Sequence, residues 1–562
     1  MSDPTPIPDN PSDPYARKAQ TFPVLSDAQV AKIKEFGRCE SLEKGAVVFQ
    51  RGDRTVDFFV LMSGTIEIYE EEGDQPENVF TVHRKNQFTG ELDLFNDRKI
   101  LVSGCMGEAG DVIRLDRPAF QRMMTSLPDI SEIIMRAFIL RRIGLMEHEQ
   151  GAVCAIGRKS SSALLEAERF MRRNGYPVRV LTVEDDADEV RTLLDKYSLA
   201  ESDLPVLIGK NNDHIAKPSR MELAKFLGIA IELEDGEIYD TIVVGAGPAG
   251  LAAAVYAASE GLKTLVLEDL APGGQAATSS KIENYLGFPT GVSGQALAGR
   301  AQVQAQKFGA VLAVPYAAKK LCCQDRPYRI YLEYDKVVRA KSVVVATGAR
   351  YRSIDVDNLD KYEGQNVHYA ATAIEARLCG DTNVIVIGGG NSAGQAAVFL
   401  SQHADHVHML VRGSGLAASM SDYLVGRIEA SPNITLHTGA ELCEIEGDDV
   451  IRHASWRHRE SGEIIRKDVA HIFVMIGAAP NSDWLDNCLA LDENGFVLTG
   501  KAAESCADCE RPPHAFETSA RGIFAVGDIR ADSVKRVASA VGEGSVSVAA
   551  IHKVLSELYS VE

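Results

Sequence analysis

The sequence predicts a multidomain α/β protein: a small β-barrel or jelly roll, a compact α/β sandwich, and two α/β units built around nucleotide loops. Three observations predict it. Short β-segments punctuated by Gly45, Gly52, Gly64 and Gly73 fill residues 21–125, strand and helix patterns alternate over 152–230, and two glycine-rich strand-to-helix turns follow Tyr239. At 562 residues the chain is too long for a single hydrophobic core, which agrees with several domains.

Composition excludes some functions. Lys+Arg 59 against Asp+Glu 79 gives a net charge of −20, which repels phosphate backbones, so nucleic acid is not an expected partner. The ten cysteines (39, 105, 154, 322, 323, 379, 443, 488, 506 and 509) are too scattered for a disulfide framework and fit a reducing cytoplasm. The start, MSDPTPIPDNPSDPYARK, reads as a disordered Pro/Asp-rich tail over 1–20, and no run reaches ~18 apolar residues. Neither secretion nor membrane insertion is expected.

In chain order, residues 21–150 carry the β-segments VVFQRGD, FFVLMSGTIEIYEE, NVFTVHR and DVIRLDR. Apolar residues at helical spacing from Leu127 to Gln150 then predict one long helix closing the barrel. Residues 151–232 alternate AVCAIG, SALLEAERFMRRNG, VRVLTVE, ADEVRTLLDKYS, DLPVLIG and RMELAKFLG, and the acidic run IELEDGEIYD leads out.

The run YDTIVVGAGPAGLAAAVYAASEGLKTLVLED places Gly245, Gly247 and Gly250 between a buried strand and a helix, with Glu268 ending the next strand. Such glycines let backbone N–H groups approach a pyrophosphate, and the acid accepts hydrogen bonds from an adenosine ribose. The run NVIVIGGGNSAGQAAVFLSQHADHVHMLVRG repeats the design with Gly388, Gly390, Asn391 and Ser392, which predicts a second Rossmann-like domain. Its second strand ends in Arg412, a residue type that accepts a 2′-phosphate and favours NADPH over NADH; a solvated strand end is the plain alternative. His408 reads as a packed histidine.

Residues 239–562 resemble low-molecular-weight thioredoxin reductases through GAGPAG, APGGQ (271–275), KIENYLGFP (281–289), ATGAR (346–350), GGGNSA (388–393), MIGAAPN (475–481), GIFAVGD (522–528) and KRVASAVGEG (535–544). The resemblance implies an FAD domain made of 236–352 and 477–562, an NAD(P)H domain of 353–476 inserted between, and a homodimer. It implies FAD contacts from Gly245, Gly247, Gly250, Glu268, Gln275, Asn284, Asp528, Arg536 and Ala538. Asp528 suits ribityl hydroxyls, or else caps the following helix.

The departures bear on function. The family's redox dithiol falls at Ala370 and Ala373, and VRGSGLAAS keeps Arg412 but has Gly413 and Ala417 where further arginines would lie. NADPH-to-FAD transfer is then intact while its usual exit is gone, so the catalytic residues stay unknown. Substitute exits are Cys379, ~9 Å along a helix from Ala373, and the pair Cys506 and Cys509 in a polar loop. No second ligand pair accompanies the latter, so no metal is expected.

Residues 151–232 resemble a thioredoxin or glutaredoxin fold through their pattern and Pro205, with Ser160, Ser161 and Ser162 where a C-x-x-C would fall. A serine forms no thiolate, which leaves a docking or structural module, and Cys154 reads as core. Residues 21–150 resemble a cyclic-nucleotide-binding domain through FTGELDLFNDRKILVSG. Phe88 to Phe95 match its phosphate cassette, with Gly90 in the loop and Glu91 as ribose acceptor. The cassette's arginine is displaced: Ile100 or Leu101 stands at its place, and Arg98 is the nearest. The ligand is cyclic AMP, cyclic GMP or another molecule, unless the barrel is purely structural.

These readings together predict a cytoplasmic FAD-dependent NAD(P)H oxidoreductase with a regulatory barrel, its acceptor a disulfide, a quinone-like molecule or oxygen. The alternative is a redox- or nucleotide-sensing signalling protein in which flavin turnover is incidental.

Overall fold

In the computed structural model, residues 13–559 are described apart from 55, 73–74, 91, 96–97, 159–160, 210–212, 279–281, 283–284, 364–365, 370, 372, 417–419, 449 and 505–510. The barrel consists of two antiparallel sheets. Strand Gly110–Leu115 lies between Arg38–Leu42 and Phe58–Leu61; the other sheet runs Val47–Phe49, Ser103–Glu108, Thr65–Glu72, Gln75–His83. Phe58, Phe88, Phe120 and Phe138 fill the space between sheet and helices, with the Phe58 and Phe120 rings 4.9 Å apart.

Two sequence expectations change here. The closing helix is two helices, Arg117–Ser126 and Pro128–Glu147, because Pro128 starts a new first turn where its missing N–H costs nothing. The tail is packed from residue 13 onward, contrary to a disordered 1–20. Tyr15 is buried, stacks on His148 at 4.8 Å, and donates its hydroxyl to Gln150 Oε1 at 2.7 Å. Gly144 leaves the room that the tyrosine ring occupies.

The next unit has strand order His214–Ala216, Val206–Ile208, Val153–Gly157, Val178–Thr182, parallel only in the last pair. Helices Ser162–Arg173, Ala187–Lys196 and Arg220–Phe226 cover it. Val153 and Phe170 share one apolar cluster with Ile242 and Val343 of the following unit, so the two are packed together rather than strung on a linker.

From Ile238 the chain builds two parallel sheets. The first runs Val311–Ala313, Thr264–Leu267, Ile238–Val244, Val337–Val345, then antiparallel Tyr328–Leu332 and Ala318–Cys322. Strand Ile523–Ala525, returning from the far end of the chain, pairs in parallel with Val337–Val345. The second runs Val367–His368, His471–Val474, Asn383–Ile387, His406–Val411, Ile434–Thr438. Ala349–Tyr351 pairs with Ala478–Pro480 where the chain passes between the two units.

Cys323 and Cys488 form a disulfide across 165 residues, a bridge that the scattered cysteine spacing did not predict. No helix among the described residues is long and apolar enough to cross a membrane.

Candidate dinucleotide sites

Both nucleotide loops use their first glycine in the same way. Gly245 has φ +102°, and a Cβ there would lie 2.4 Å from Ala346 O; Gly388 has φ +141°, and a Cβ would lie 2.5 Å from Met475 O. Each glycine lets its turn press against the end of the neighbouring parallel strand. Helices Pro248–Ser259 and Asn391–Leu400 then start with their free N–H groups at the loop. At Gly250 a Cβ would meet Gly245 O at 1.9 Å, whereas at Gly247 it would meet only Gly274 Cα at 4.0 Å. The loop is thus tight inside and open in front, which fits a diphosphate.

Glu268 is half-buried, and its carboxylate accepts from Ala246 N at 2.8 Å and Leu270 N at 3.1 Å. Loss of water raises its pKa above the ordinary value against the pull of those N–H groups and of Arg173. Asp528 lies in the turn Gly527–Ile529 and does not cap the C-terminal helix, which starts at Val537. Its pKa is raised by burial, with Glu543 adding and Lys535 opposing. A Cβ at Gly527 would come 2.9 Å from Ala249 Cβ, so this turn abuts the first loop's helix.

Gln275 Nε2 donates to Ala349 O at 2.5 Å. Arg536 and Ala538 are exposed at the start of the last helix, and Asn284 lies outside the described residues. In the second loop Asn391 Oδ1 accepts from Ser421 N at 2.8 Å, and Ser392 is exposed. Arg412 follows the strand His406–Val411, is exposed, and makes no side-chain hydrogen bond or ion pair among the described residues. His408 is buried, packs on Trp456 at 5.2 Å, and is held down to about 4 by burial and by His406 and His437.

The proposed electron exits fare differently. Cys379 is fully buried, donates to Glu375 O at 3.2 Å, and has its pKa pushed up to about 12 by burial, with Glu375 adding. That burial disfavours a thiolate at neutral pH and weighs against Cys379 as a substitute exit. Ala370, Cys506 and Cys509 lie outside the described residues; Ala373 begins the helix Ala373–Leu378. Sequence reading missed Tyr351 and Tyr369, which stack at 5.5 Å and 10° beside that segment. No group of three or more metal-ligating side chains occurs among the described residues.

In the barrel, a cavity is lined by Phe49, Ile68, Phe80, His83, Ile100 and Arg141, among others. Ile100, at the position where an arginine was expected, adds apolar surface. Gly90 has φ +101°, and its carbonyl accepts from Arg141 Nη1 at 2.8 Å. Arg98 does not line the cavity: its Nη1 donates to Asn174 O of the next unit at 2.7 Å, which corrects its assignment as a ligand contact. Glu91 lies outside the described residues. Cys154 is only partly buried, in strand Val153–Gly157, and Ser161 caps the helix after it by accepting from Leu164 N at 3.3 Å.

Two glycine-loop parallel sheets, one of them closed by a strand from the chain's far end and both joined by a short strand pair, define a protein of the two-Rossmann-domain class. The chain belongs to the pyridine nucleotide-disulphide oxidoreductase family, whose model matches residues 239–544. A cyclic nucleotide-binding domain model matches residues 39–126. The chain is 32% identical over 316 residues to a thioredoxin reductase of Mycoplasmopsis pulmonis, covering 56% of this chain and 97% of that protein. It is 30% identical over 329 residues to NADPH-dependent thioredoxin reductase 3 of Arabidopsis thaliana, covering 57% of this chain and 59% of that protein. Among solved structures, thioredoxin reductase from Giardia duodenalis superposes with a TM-score of 0.51 at 26% identity, covering 57% of this chain and 99% of that one. Thioredoxin reductase homologues of this family use FAD and NADPH.

Proposed function

We propose that the chain is an FAD-dependent oxidoreductase that prefers NADPH and passes electrons to its acceptor without a dithiol at residues 370 and 373. One observation carries the FAD reading: the 245–250 loop, Glu268 and the turn Gly527–Ile529 meet although they come from opposite ends of the segment. FAD, when bound, takes hydride from a nicotinamide and releases two electrons. Gly247 leaves room for the diphosphate, Glu268 accepts from the ribose, and Asp528 accepts from ribityl hydroxyls. Arg412, with its five N–H donors uncommitted among the described residues, pairs with a 2′-phosphate.

Alanine at 370 and 373, at the places where the thioredoxin reductase resemblance puts a dithiol, removes the usual electron exit, and Cys379 is too deeply protonated to replace it. Direct transfer from flavin to a disulfide partner, a quinone-like molecule or oxygen remains. The 151–232 unit is read as a thioredoxin-like module, supported by its strand order and Pro205. A cytoplasmic homodimer completes this reading, supported by the resemblance and by six free cysteines among the described residues, with Cys323–Cys488 as the exception.

Anaerobic mixing with NADPH tests the proposal. Yellow protein with about one FAD per chain that bleaches rapidly, then recolours on addition of an acceptor, is the expected result. Colourless, correctly folded protein rejects it. The signalling alternative draws support from one contact chain: the barrel's Arg98 reaches Asn174, whose side chain reaches Leu270 beside Glu268. Bleaching without turnover on any acceptor would favour it.

A further inference from the structure

We propose that Arg173, carried by the 151–232 unit and not by the dinucleotide fold, is a binding residue for the FAD diphosphate, so that the appended unit completes the cofactor site. The inference rests on the FAD reading above. Arg173 is the last residue of helix Ser162–Arg173, and its Nη2 donates to Gly274 O at 3.0 Å. Gly274 lies against the diphosphate loop: a Cβ there would come 3.0 Å from Gly247 Cα and 3.7 Å from Gly247 N. The guanidinium is also close enough to Glu268, the expected ribose acceptor, to be attracted by its carboxylate. It therefore stands where ribose and diphosphate join.

The surroundings of Arg173 are those of a cation awaiting an anion. Its Nε is buried with no hydrogen-bond partner among the described residues, a costly arrangement for a charged group. Burial lowers its pKa, against the pull of Glu268, and Arg169, one helical turn earlier, adds to the lowering by like-charge repulsion. A diphosphate between this guanidinium and the glycine loop relieves both penalties, since planar N–H pairs match phosphate oxygens. Two further contacts join the units nearby: Asn174 Nδ2 donates to Leu270 O at 2.9 Å, and Gln295 Nε2 to Arg172 O at 3.4 Å.

The test is FAD rebinding to full-length protein stripped of flavin, followed by quenching of FAD fluorescence, with ADP and adenosine as competitors. Arg173→Gln is expected to raise Kd for FAD about tenfold and weaken ADP while leaving adenosine unchanged, the loss of one charge-assisted contact. Arg173→Lys, which keeps the charge and loses the fork, is expected to fall between, and guards against misfolding of the glutamine variant. Asn174→Ala removes a neighbouring interface contact without a charge and should stay within about twofold. High salt should weaken the wild type more than Arg173→Gln. An unchanged Kd in both arginine variants, or an equal loss in Asn174→Ala, overturns the proposal and leaves Arg173 as a packing contact. Wild-type protein that rebinds no FAD rejects the cofactor reading itself.

Discussion

Arg98 Nη1 donates to the backbone oxygen of Asn174 at 2.7 Å, so the arginine nearest the barrel's phosphate cassette is turned outward onto the next unit. Arg142 makes a parallel link, pairing with Asp93 of the cassette at 2.6 Å and donating to Gly175 O at 3.0 Å. The turn 174–175 is held by the barrel on one side and, through Asn174 Nδ2, holds Leu270 on the other. Arg98→Ala should therefore leave ligand binding by the barrel unchanged but cost about 1 kcal/mol of docking. Faster hydrogen exchange over 170–176 is the expected readout; lost nucleotide binding with unchanged exchange would return Arg98 to the cavity.

Gly247 and Gly250 should separate binding from folding. Gly247 has φ −71°, and a Cβ there would meet only Gly274 Cα at an ordinary 4.0 Å, so Gly247→Ala should fold normally and purify without flavin. Gly250→Ala drives a Cβ against Gly245 O and should lower stability by about 1–3 kcal/mol, seen as a reduced Tm.

Arg412→Ala should raise KM for NADPH several-fold and leave KM for NADH nearly unchanged, because only NADPH offers a 2′-phosphate. Equal changes for the two nucleotides would assign Arg412 to the strand end alone.

Cys379→Ser should leave the NADPH-dependent rate within about twofold, because a thiol pushed up to about 12 contributes almost no thiolate at neutral pH. A large drop in rate, with Tm unchanged, would place this sulfur in the electron path after all.

The barrel should lose stability in acid through His83. Burial, with Arg141 adding, holds its pKa well below the usual histidine range, while the unfolded chain takes up a proton near 6.5. The unfolded state then binds more protons, so stability falls as pH drops below about 6.5, by up to about 1.4 kcal/mol per pH unit for this one group. His83→Phe should flatten the acid limb of the melting curve measured from pH 7 to 5; an unaltered slope would show that other groups set it.

Much was legible in the sequence because its signals are local. A glycine at 245 or 388 is required by a positive φ and a close strand end, and the helix that follows needs only a few residues to declare itself. Alternation of strand and helix over 151–232 likewise marked out the unit, and alanine at 370 and 373 could be read directly. Tertiary structure alone decided the rest. Whether Cys379 is reactive depends on burial contributed by the whole second sheet, and which way Arg98 points depends on a carbonyl 76 residues away. Cys323 and Cys488 pair across 165 residues, and Arg173 meets Gly274 across 101, separations at which no spacing rule operates. Short-range steric demands are written into neighbouring residues, whereas charge environment and contact between units are fixed only when distant segments pack and exclude water.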